Sequence, residues 1–236
     1  MSRQQPEQQA PPVQRLRIRY AKRGRLRFTS HRDFSRAFER AVFRARIPMA
    51  YSSGFNPHPR ISYAGAAPTG SASEAEYLEI ALAETVDPAA VHADLDAALP
   101  AGLDVLAVVE SPGGSLADRL EASRWEIVVA AAADEARAAV TDFLARDEVL
   151  VARMTKKGMR EFDARAAVVD LAVASSQEDA TTLDLVLRHV VPAVRPDDLL
   201  TALGEVSGLD AGPAPLMTRT AQGVLADDGS IADPLG

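Results

Sequence analysis

Residues 14–46 have the sequence QRLRIRYAKRGRLRFTSHRDFSRAFERAVFRAR and predict a strand followed by a helix. Apolar and basic residues alternate from Gln14 to Tyr20, as in a strand with one buried face and one face in water. Ser30 and Asp33 form a capping-box pattern at a helix start. Ile47-Pro48 predicts the helix end, because proline disfavours helical backbone at the residue before it.

The residues that follow complete a βαββαβ order within about 95 residues, which is typical of a ferredoxin-like sandwich. The further predicted elements are strands at 61–65 and 77–83, a helix at 88–99 capped by Asp87, and a strand at 104–109.

A second round with the same order begins at Trp125, with an extra stretch at 155–165. Its predicted elements are strands at 125–131, 149–154, 166–174 and 182–188, helices at 134–146 and 196–206, and a short strand near Met217. The sequence therefore predicts an α+β protein with two tandem ferredoxin-like βαββαβ sandwich domains and antiparallel sheets.

Composition outside these rounds predicts tails and a linker. The start is rich in Gln and Pro, Ser111-Pro-Gly-Gly-Ser115 has linker composition, and the end is small, acidic and Gly-bearing. The predicted organisation is a disordered tail at 1–14, a first domain at 15–110, a linker at 111–122, a second domain at 123–219 and a disordered tail at 220–236.

The composition also excludes several classes of protein. With 47% apolar and 25% charged residues, the 236-residue chain can bury a core, which excludes disorder throughout. It has no cysteine, so the chain itself cannot supply a disulfide, a thiolate nucleophile or a cysteine-held iron–sulfur centre. Short apolar runs and a polar start predict a soluble, unexported, cytoplasmic protein without membrane contact.

Charge is distributed unevenly along the chain. The net charge is −7, yet residues 1–60 carry +11, while 61–110 and the remainder carry −9 each. A dense basic segment in an acidic protein favours an anionic partner. Two alternatives stay open: arginine-rich coding bias, or a basic segment that faces the acidic segment of its own domain.

Arginines recur every four residues on the first helix, at positions 32, 36, 40 and 44, opposite an apolar stripe. Guanidinium groups along one helix face match the phosphates of a nucleic-acid backbone. Arg36, Arg40 and Arg44 are therefore candidate phosphate-binding residues. Further arginines and a lysine could enlarge the surface, namely Arg15, Arg17, Arg19, Lys22, Arg23, Arg25 and Arg27. The alternative is a solvated helix face whose charges meet the acidic segment.

The loop from Tyr51 to Arg60, YSSGFNPHPR, has two prolines that fix φ and a glycine that permits a turn. A rigid loop of this composition can stack a base, read its edge and hold a phosphate. The candidate residues for these contacts are Tyr51, Phe55, Asn56, His58 and Arg60. The alternative is that the aromatic rings close the core and the prolines end strands.

A third basic segment spans 153–165 in the otherwise acidic second half. Lys156, Lys157 and Arg160 are candidate nucleic-acid contacts, and the alternative is a hairpin tip kept soluble by charge. For catalysis, the weak candidates are His31, Asp33 and His58. No metal site is expected, because His31 and Asp33 point to different sides of the helix start; the alternative, in which His58 joins them in space, stays open. No cofactor is expected.

Several of these residues together resemble a known family, the radical SAM-linked family of unknown function. The resemblance lies in Phe28-Thr-Ser-His31-Arg-Asp33, the Arg/Ala helix, Ile47-Pro48, and Tyr51-Ser-Ser-Gly54-Phe55-Asn56-Pro57-His58-Pro59 with Ser62, Gly70 and Glu76. Thr155-Lys156-Lys157-Gly158 with Asp163 and Arg165 resembles its second motif. The resemblance implies a separately encoded radical SAM protein as partner, which must carry the cluster cysteines that this chain lacks.

These observations predict a non-enzymatic accessory protein that binds RNA through the basic helix and the rigid loop and acts with a radical SAM enzyme. Two alternatives stay open: a module that only docks on that protein, or an RNA-processing or RNA-modifying enzyme that uses His31, Asp33 and His58.

Overall fold

The computed structural model describes residues 8–155, 158–178 and 180–236. It shows a mixed α+β protein whose helices pack on antiparallel sheets. The chain divides into two compact units: unit 1 extends to Asp118 and includes Leu235–Gly236, and unit 2 spans Arg119–Pro234. The break between the units falls within the predicted linker at 111–122.

Unit 1 contains the predicted βαββαβ order. Its elements are β1 (Gln14–Lys22), α1 (His31–Arg44), β2 (Ile61–Ala64), β3 (Ala72–Leu82), α2 (Pro88–Ala98) and β4 (Val105–Glu110). The antiparallel strands lie in the order β4-β1-β3-β2. Asp87 caps α2 as predicted, since its side chain accepts a hydrogen bond from the Ala89 amide.

One core joins the helices of unit 1 to its sheet. The alternating residues Leu16, Ile18 and Tyr20 of β1 are buried, and so are Phe34 and Phe38 of α1. The rings of Tyr20 and Phe34 stack at 4.4 Å between centroids. The apolar residues of β1, predicted from their period of two, thus pack against the apolar stripe of α1 in this core.

Unit 2 repeats the same element order around an inserted hairpin. Its elements are β5 (Ala122–Val129), α3 (Ala133–Leu144), β6 (Leu150–Thr155), β7 (Gly158–Asp163), α4 (Ala164–Ala167), β8 (Val168–Gln177), β9 (Ala180–Arg188), α5 (Pro196–Ser207), β10 (Leu216–Leu225) and β11 (Ile231–Ala232). Its main strands lie in the order β10-β5-β9-β8, and β6 pairs with β7 in a separate sheet. The predicted strand at 149–154 therefore belongs to the hairpin and not to the main sheet.

The predicted disordered tail at 220–236 is wrong over much of its length. Strand β10 continues to Leu225, and its last residues pair with the start of β5, where Gly223 lies opposite Ala122. Strand β11 then pairs back on β10. Residues 221–223 of β10 are held in the strand by backbone hydrogen bonds to β5. Local composition does not reveal such a distant partner.

Candidate nucleic-acid interface

Helix α1 presents the basic surface, and its sequence explains its position. Ser30 caps the helix, with its Oγ accepting a hydrogen bond from the Asp33 amide at 3.2 Å. Phe34, Phe38 and the residues one turn further on face the core. The arginines are therefore held on the opposite, exposed face.

The arginines of α1, at positions 32, 36, 40 and 44, form no ion pair with the residues that the structure describes. Arg36 and Arg40 are exposed, and no ion pair or hydrogen bond of either side chain is found among the residues that the structure describes. Arg44 is also exposed, and its Nη1 donates to the Ala98 carbonyl at 3.2 Å, at the end of α2. Successive arginines lie about 6 Å apart along the helix axis. The cations thus form a row that faces solvent.

The arginines of β1 lie in a different environment, which corrects the prediction of a basic face in water. Arg17 is fully buried, and its Nη2 donates to the Gly113 carbonyl at 2.7 Å. Glu79 bonds both Arg15, at 3.0 Å, and Arg17, at 3.4 Å. Arg17 therefore holds the backbone at Gly113 and Gly114, near the start of the predicted linker.

The residues at the end of β1 are also engaged inside unit 1. Arg19 donates to the Glu74 carbonyl at 2.7 Å. Arg23 donates hydrogen bonds to Glu74 and Asp104, each at 2.7 Å, and these partners raise the pKa of its guanidinium, with the hydrogen bond to Glu74 contributing most. The acidic segment therefore pairs with Arg15, Arg17 and Arg23, as one alternative held, while Arg36 and Arg40 stay unpaired within the described residues.

The base of the 51–60 loop is closed by backbone hydrogen bonds. Tyr51 pairs with Pro59 in an antiparallel bridge, and the Ser52 amide donates to the His58 carbonyl at 2.9 Å. The Ser52 Oγ accepts from the His58 amide at 3.0 Å. Gly54, at the turn, has a φ of 132°, which a residue with a Cβ rarely adopts. The loop therefore has a specified shape, as its sequence predicts.

The tip of this loop is exposed. Phe55 is 65% accessible, and Tyr51, Asn56 and His58 are also exposed, so the alternative that the rings close the core is wrong. Arg60 is half-buried, and its Nε donates to the Tyr51 carbonyl at 3.1 Å. Part of the Arg60 guanidinium thus holds the loop together.

The third candidate segment forms the β6–β7 hairpin. Lys156 and Lys157 lie outside the described residues, and Arg160 is exposed on β7. Arg153 lies opposite Arg160, but it pairs with Asp198 and covers the Phe162 ring at 4.3 Å. Met154 and Met159 face each other across the strands and are both exposed. Sequence reasoning missed this apolar pair, although its position beside the lysines was visible.

The weak catalytic candidates are not joined by hydrogen bonds in the described part of the chain. The His31 ring contacts the edge of Tyr63, with 4.9 Å between centroids, and Asp33 bonds the cap residue Ser30 at 2.7 Å. Burial raises the pKa of Tyr63, and the charge of Glu39 adds to that shift. Within the described ranges, no group of three His, Cys, Asp or Glu residues could hold a metal ion.

A small cavity behind the start of α1 was not expected from the sequence. Its lining includes Tyr20, Lys22, His31 and Glu76. Lys22 and Glu76 are buried, and Glu76 accepts from the Ala67 amide while Lys22 bonds the Ala67 carbonyl. Lys22 follows Leu16, Ile18 and Tyr20 at spacing two, which was the signal that it points inward. Lys22 therefore does not enlarge the exposed basic surface.

An exposed phenylalanine was also missed. Phe43 is 84% accessible and lines an open depression on α1 together with Arg36, Glu39, Arg40 and Arg44. The helical period places position 43 outside the stripe formed by Phe34, Phe38 and Val42, which was the available signal.

A membrane-spanning helix is not found over residues 8–155, 158–178 and 180–236. No curated protein matches the chain in sequence. Among solved structures, a chain in the crystal structure of a Cbf5-Nop10-Gar1 complex is similar in fold, with a TM-score of 0.50 and 9% identity. The match covers 91% of this chain and 53% of that chain, so the protein spans about half of its length.

The sequence also matches a family model over residues 15–196, which includes α1, the 51–60 loop and the hairpin. That range is most of the chain and contains every residue singled out above as a candidate contact. The protein therefore belongs to the family described as "Uncharacterized protein conserved in bacteria (DUF2344)".

Proposed function

We propose that this protein is a non-enzymatic accessory protein that binds RNA through α1 and the 51–60 loop and acts with a separate radical SAM protein. The observation that carries the proposal is the row of exposed arginines on α1, of which Arg36 and Arg40 form no ion pair and no side-chain hydrogen bond with the described residues. Phosphates supply the missing charge and match the bidentate geometry of guanidinium groups.

In this proposal, the 51–60 loop selects which RNA is bound. Its closed base holds Tyr51, Phe55, Asn56 and His58 at the surface, where rings and polar side chains can reach unstacked bases. The similarity to a chain of the Cbf5-Nop10-Gar1 complex supports the fold only. The radical SAM partner rests on the resemblance of the Ser-Gly-Phe-Asn-Pro-His-Pro motif and on the absence of cysteine from the chain.

The finer fold assignment is part of the same proposal. Both units have the element order βαββαβ once the β6–β7 hairpin and α4 are set aside. Both also place the fourth strand beside the first, and the third between the first and second, in the main sheet. This shared order supports two tandem ferredoxin-like units.

Charge reversal tests the RNA proposal. A variant with Arg36→Glu, Arg40→Glu and Arg44→Glu should lose retention on immobilised total RNA, because phosphate contacts become repulsive. The matched control reverses three exposed arginines of unit 2, Arg137, Arg146 and Arg188, and gives the same net charge. The control should be retained like the wild type. Equal retention of the wild type and both variants, with unchanged circular dichroism, would refute the proposal.

A second candidate function is docking on a protein, which the hairpin favours. Exposed methionines are frequent at binding surfaces because their side chains adapt to a partner. Met154 and Met159 form such a pair near Arg160. Met154→Ser with Met159→Ser should then abolish co-purification of the radical SAM protein in the presence of ribonuclease. Co-purification that ribonuclease removes would instead place RNA between the two proteins.

A further inference from the structure

The exposed ring of Phe43 needs an explanation beyond the fold. Phe34 and Phe38 on the same helix are buried in the core of unit 1, whereas Phe43 is almost fully accessible. Neither an aromatic ring nor a guanidinium group stacks on Phe43 among residues 8–155, 158–178 and 180–236. The ring therefore contributes little to the core and leaves its face open.

The surroundings of Phe43 point to the chemistry of a ligand. Three arginines and one glutamate line the same depression, so the apolar ring lies within a basic rim. A protein surface that stacks on its ring would have to be acidic and aromatic at once. A nucleotide combines a flat π-face with a phosphate, and therefore fits both parts of the depression.

The other exposed aromatic residues follow the same pattern. The chain has twelve aromatic residues, and the exposed ones among the large side chains are Phe28, Phe43, Tyr51 and Phe55. All four fall within residues 28–55, in the basic segment of the sequence. Aromatic side chains interleaved with arginines are typical of surfaces that bind single-stranded nucleic acids.

We propose that Phe43 stacks on an unpaired base, and that the nucleic acid bound by α1 is single-stranded RNA and not a duplex. This inference rests on the proposed RNA-binding function. In a duplex both faces of every internal base are covered by its neighbours, so Phe43 would find no partner there, while the arginines would still reach phosphates. Phe43 therefore discriminates between the two forms, whereas Arg36, Arg40 and Arg44 bind both.

The test uses the full chain and two fluorescein-labelled probes: a single-stranded RNA of about 20 nucleotides without self-complementarity, and its blunt duplex. Wild-type protein should bind the single strand more tightly. Phe43→Ala should weaken single-strand binding about tenfold and leave duplex binding unchanged. Leu144→Ala is the control, because Leu144 is also an exposed apolar side chain on a helix, but it lies in unit 2 and outside the depression. That variant should bind both probes like the wild type.

Phe43→Trp supplies a direct readout of stacking. The only natural tryptophan, Trp125, is buried in unit 2, so fluorescence that changes on addition of RNA would come from position 43. Single-stranded RNA should quench this fluorescence, and the duplex should not.

The outcomes separate this inference from the function on which it rests. Wild-type affinity of Phe43→Ala for the single strand, or equal wild-type affinity for both probes, overturns the single-strand inference alone. Failure of the wild type to bind either probe overturns the RNA proposal itself. A dimer in sedimentation that Phe43→Ala dissociates would also overturn the inference, since a second copy would then cover the ring.

Discussion

The arginines of β1 and those of α1 come from one basic stretch of sequence, yet their environments are opposite. Arg17 is buried against Glu79 and the Gly113 carbonyl, while Arg36 and Arg40 face solvent with no ion pair in the described residues. A buried guanidinium requires partners because its desolvation is costly. Arginine density in the sequence therefore does not reveal which guanidinium groups are bonded inside unit 1 and which are left at its surface.

The row of arginines on α1 also lowers the stability of the helix. Like charges four residues apart destabilise a helix by about 0.2–0.5 kcal/mol per pair. Arg36, Arg40 and Arg44 form two such pairs, and Arg44 alone gains a hydrogen bond from its side chain to α2. A local arrangement that opposes stability and has no structural return is typical of a functional surface.

The largest expected effect is on stability, and it tests whether the buried arginine of β1 supports the fold. Arg17→Met should lower the free energy of unfolding by about 3 kcal/mol, because Glu79 keeps its bond to Arg15 but loses the buried cation, and the Gly113 carbonyl loses its donor. Urea denaturation measures the loss. At temperatures where the variant is folded, its affinity for RNA should equal that of the wild type. A loss below about 1 kcal/mol would show that the buried pair is not structural.

Some features of β1 and α1 could be predicted from the sequence, and the burial of Arg17 could not. Alternation in β1 correctly placed Leu16, Ile18 and Tyr20 in the core, and the Ser30 cap set the start of α1. Both features depend on neighbours in sequence. The burial of Arg17 depends on a chain segment nearly 100 residues away, at Gly113, and no local period encodes that contact.

In the candidate site, too, the exposure of side chains could be predicted from the sequence, whereas their ion pairing could not. The exposure of Arg36 and Arg40 follows from the helical period, and so does the missed exposure of Phe43. Their lack of ion pairs could not be read from sequence, because the acidic segment at 61–110 could have faced either β1 or α1. The extension of β10 to Leu225 was hidden for a similar reason, since its hydrogen-bonding partner is the distant strand β5.

A second prediction concerns the end of α1, where an arginine takes a strained backbone. Arg46 has a φ of 55°, in the left-handed region that favours glycine. Arg46→Gly should therefore raise the free energy of unfolding by about 1 kcal/mol, measured by urea denaturation. Arg46→Ala removes the same charge but keeps the Cβ atom. If both variants gained equally, the side chain and not the backbone would be the cause.

A third prediction uses an exposed but paired arginine of unit 1. Arg23 lies at the surface between Glu74 and Asp104. Arg23→Gln should lower stability by no more than about 1 kcal/mol, because solvent screens the pair. Its affinity for the single-stranded RNA probe should stay within about twofold of the wild type, since its charge was already neutralised. A larger loss of RNA affinity would mean that paired arginines also take part in binding.

The smallest expected change in stability is that of Arg40→Glu. This variant is informative because its stability should rise while its affinity for RNA falls. Arg40→Glu replaces two like-charge contacts with two favourable ones, to Arg36 and Arg44, but it also places a negative charge near the C-terminal end of α1. The net rise in the free energy of unfolding should therefore be about 0.5 kcal/mol. The same change should weaken binding of single-stranded RNA and reduce its dependence on salt, because a phosphate contact is lost. Arg40→Gln, which only removes the charge, should lie between the wild type and Arg40→Glu in both measurements. A variant that lost stability and RNA affinity together would indicate that Arg40 supports the fold, and the row on α1 would then resemble the row on β1.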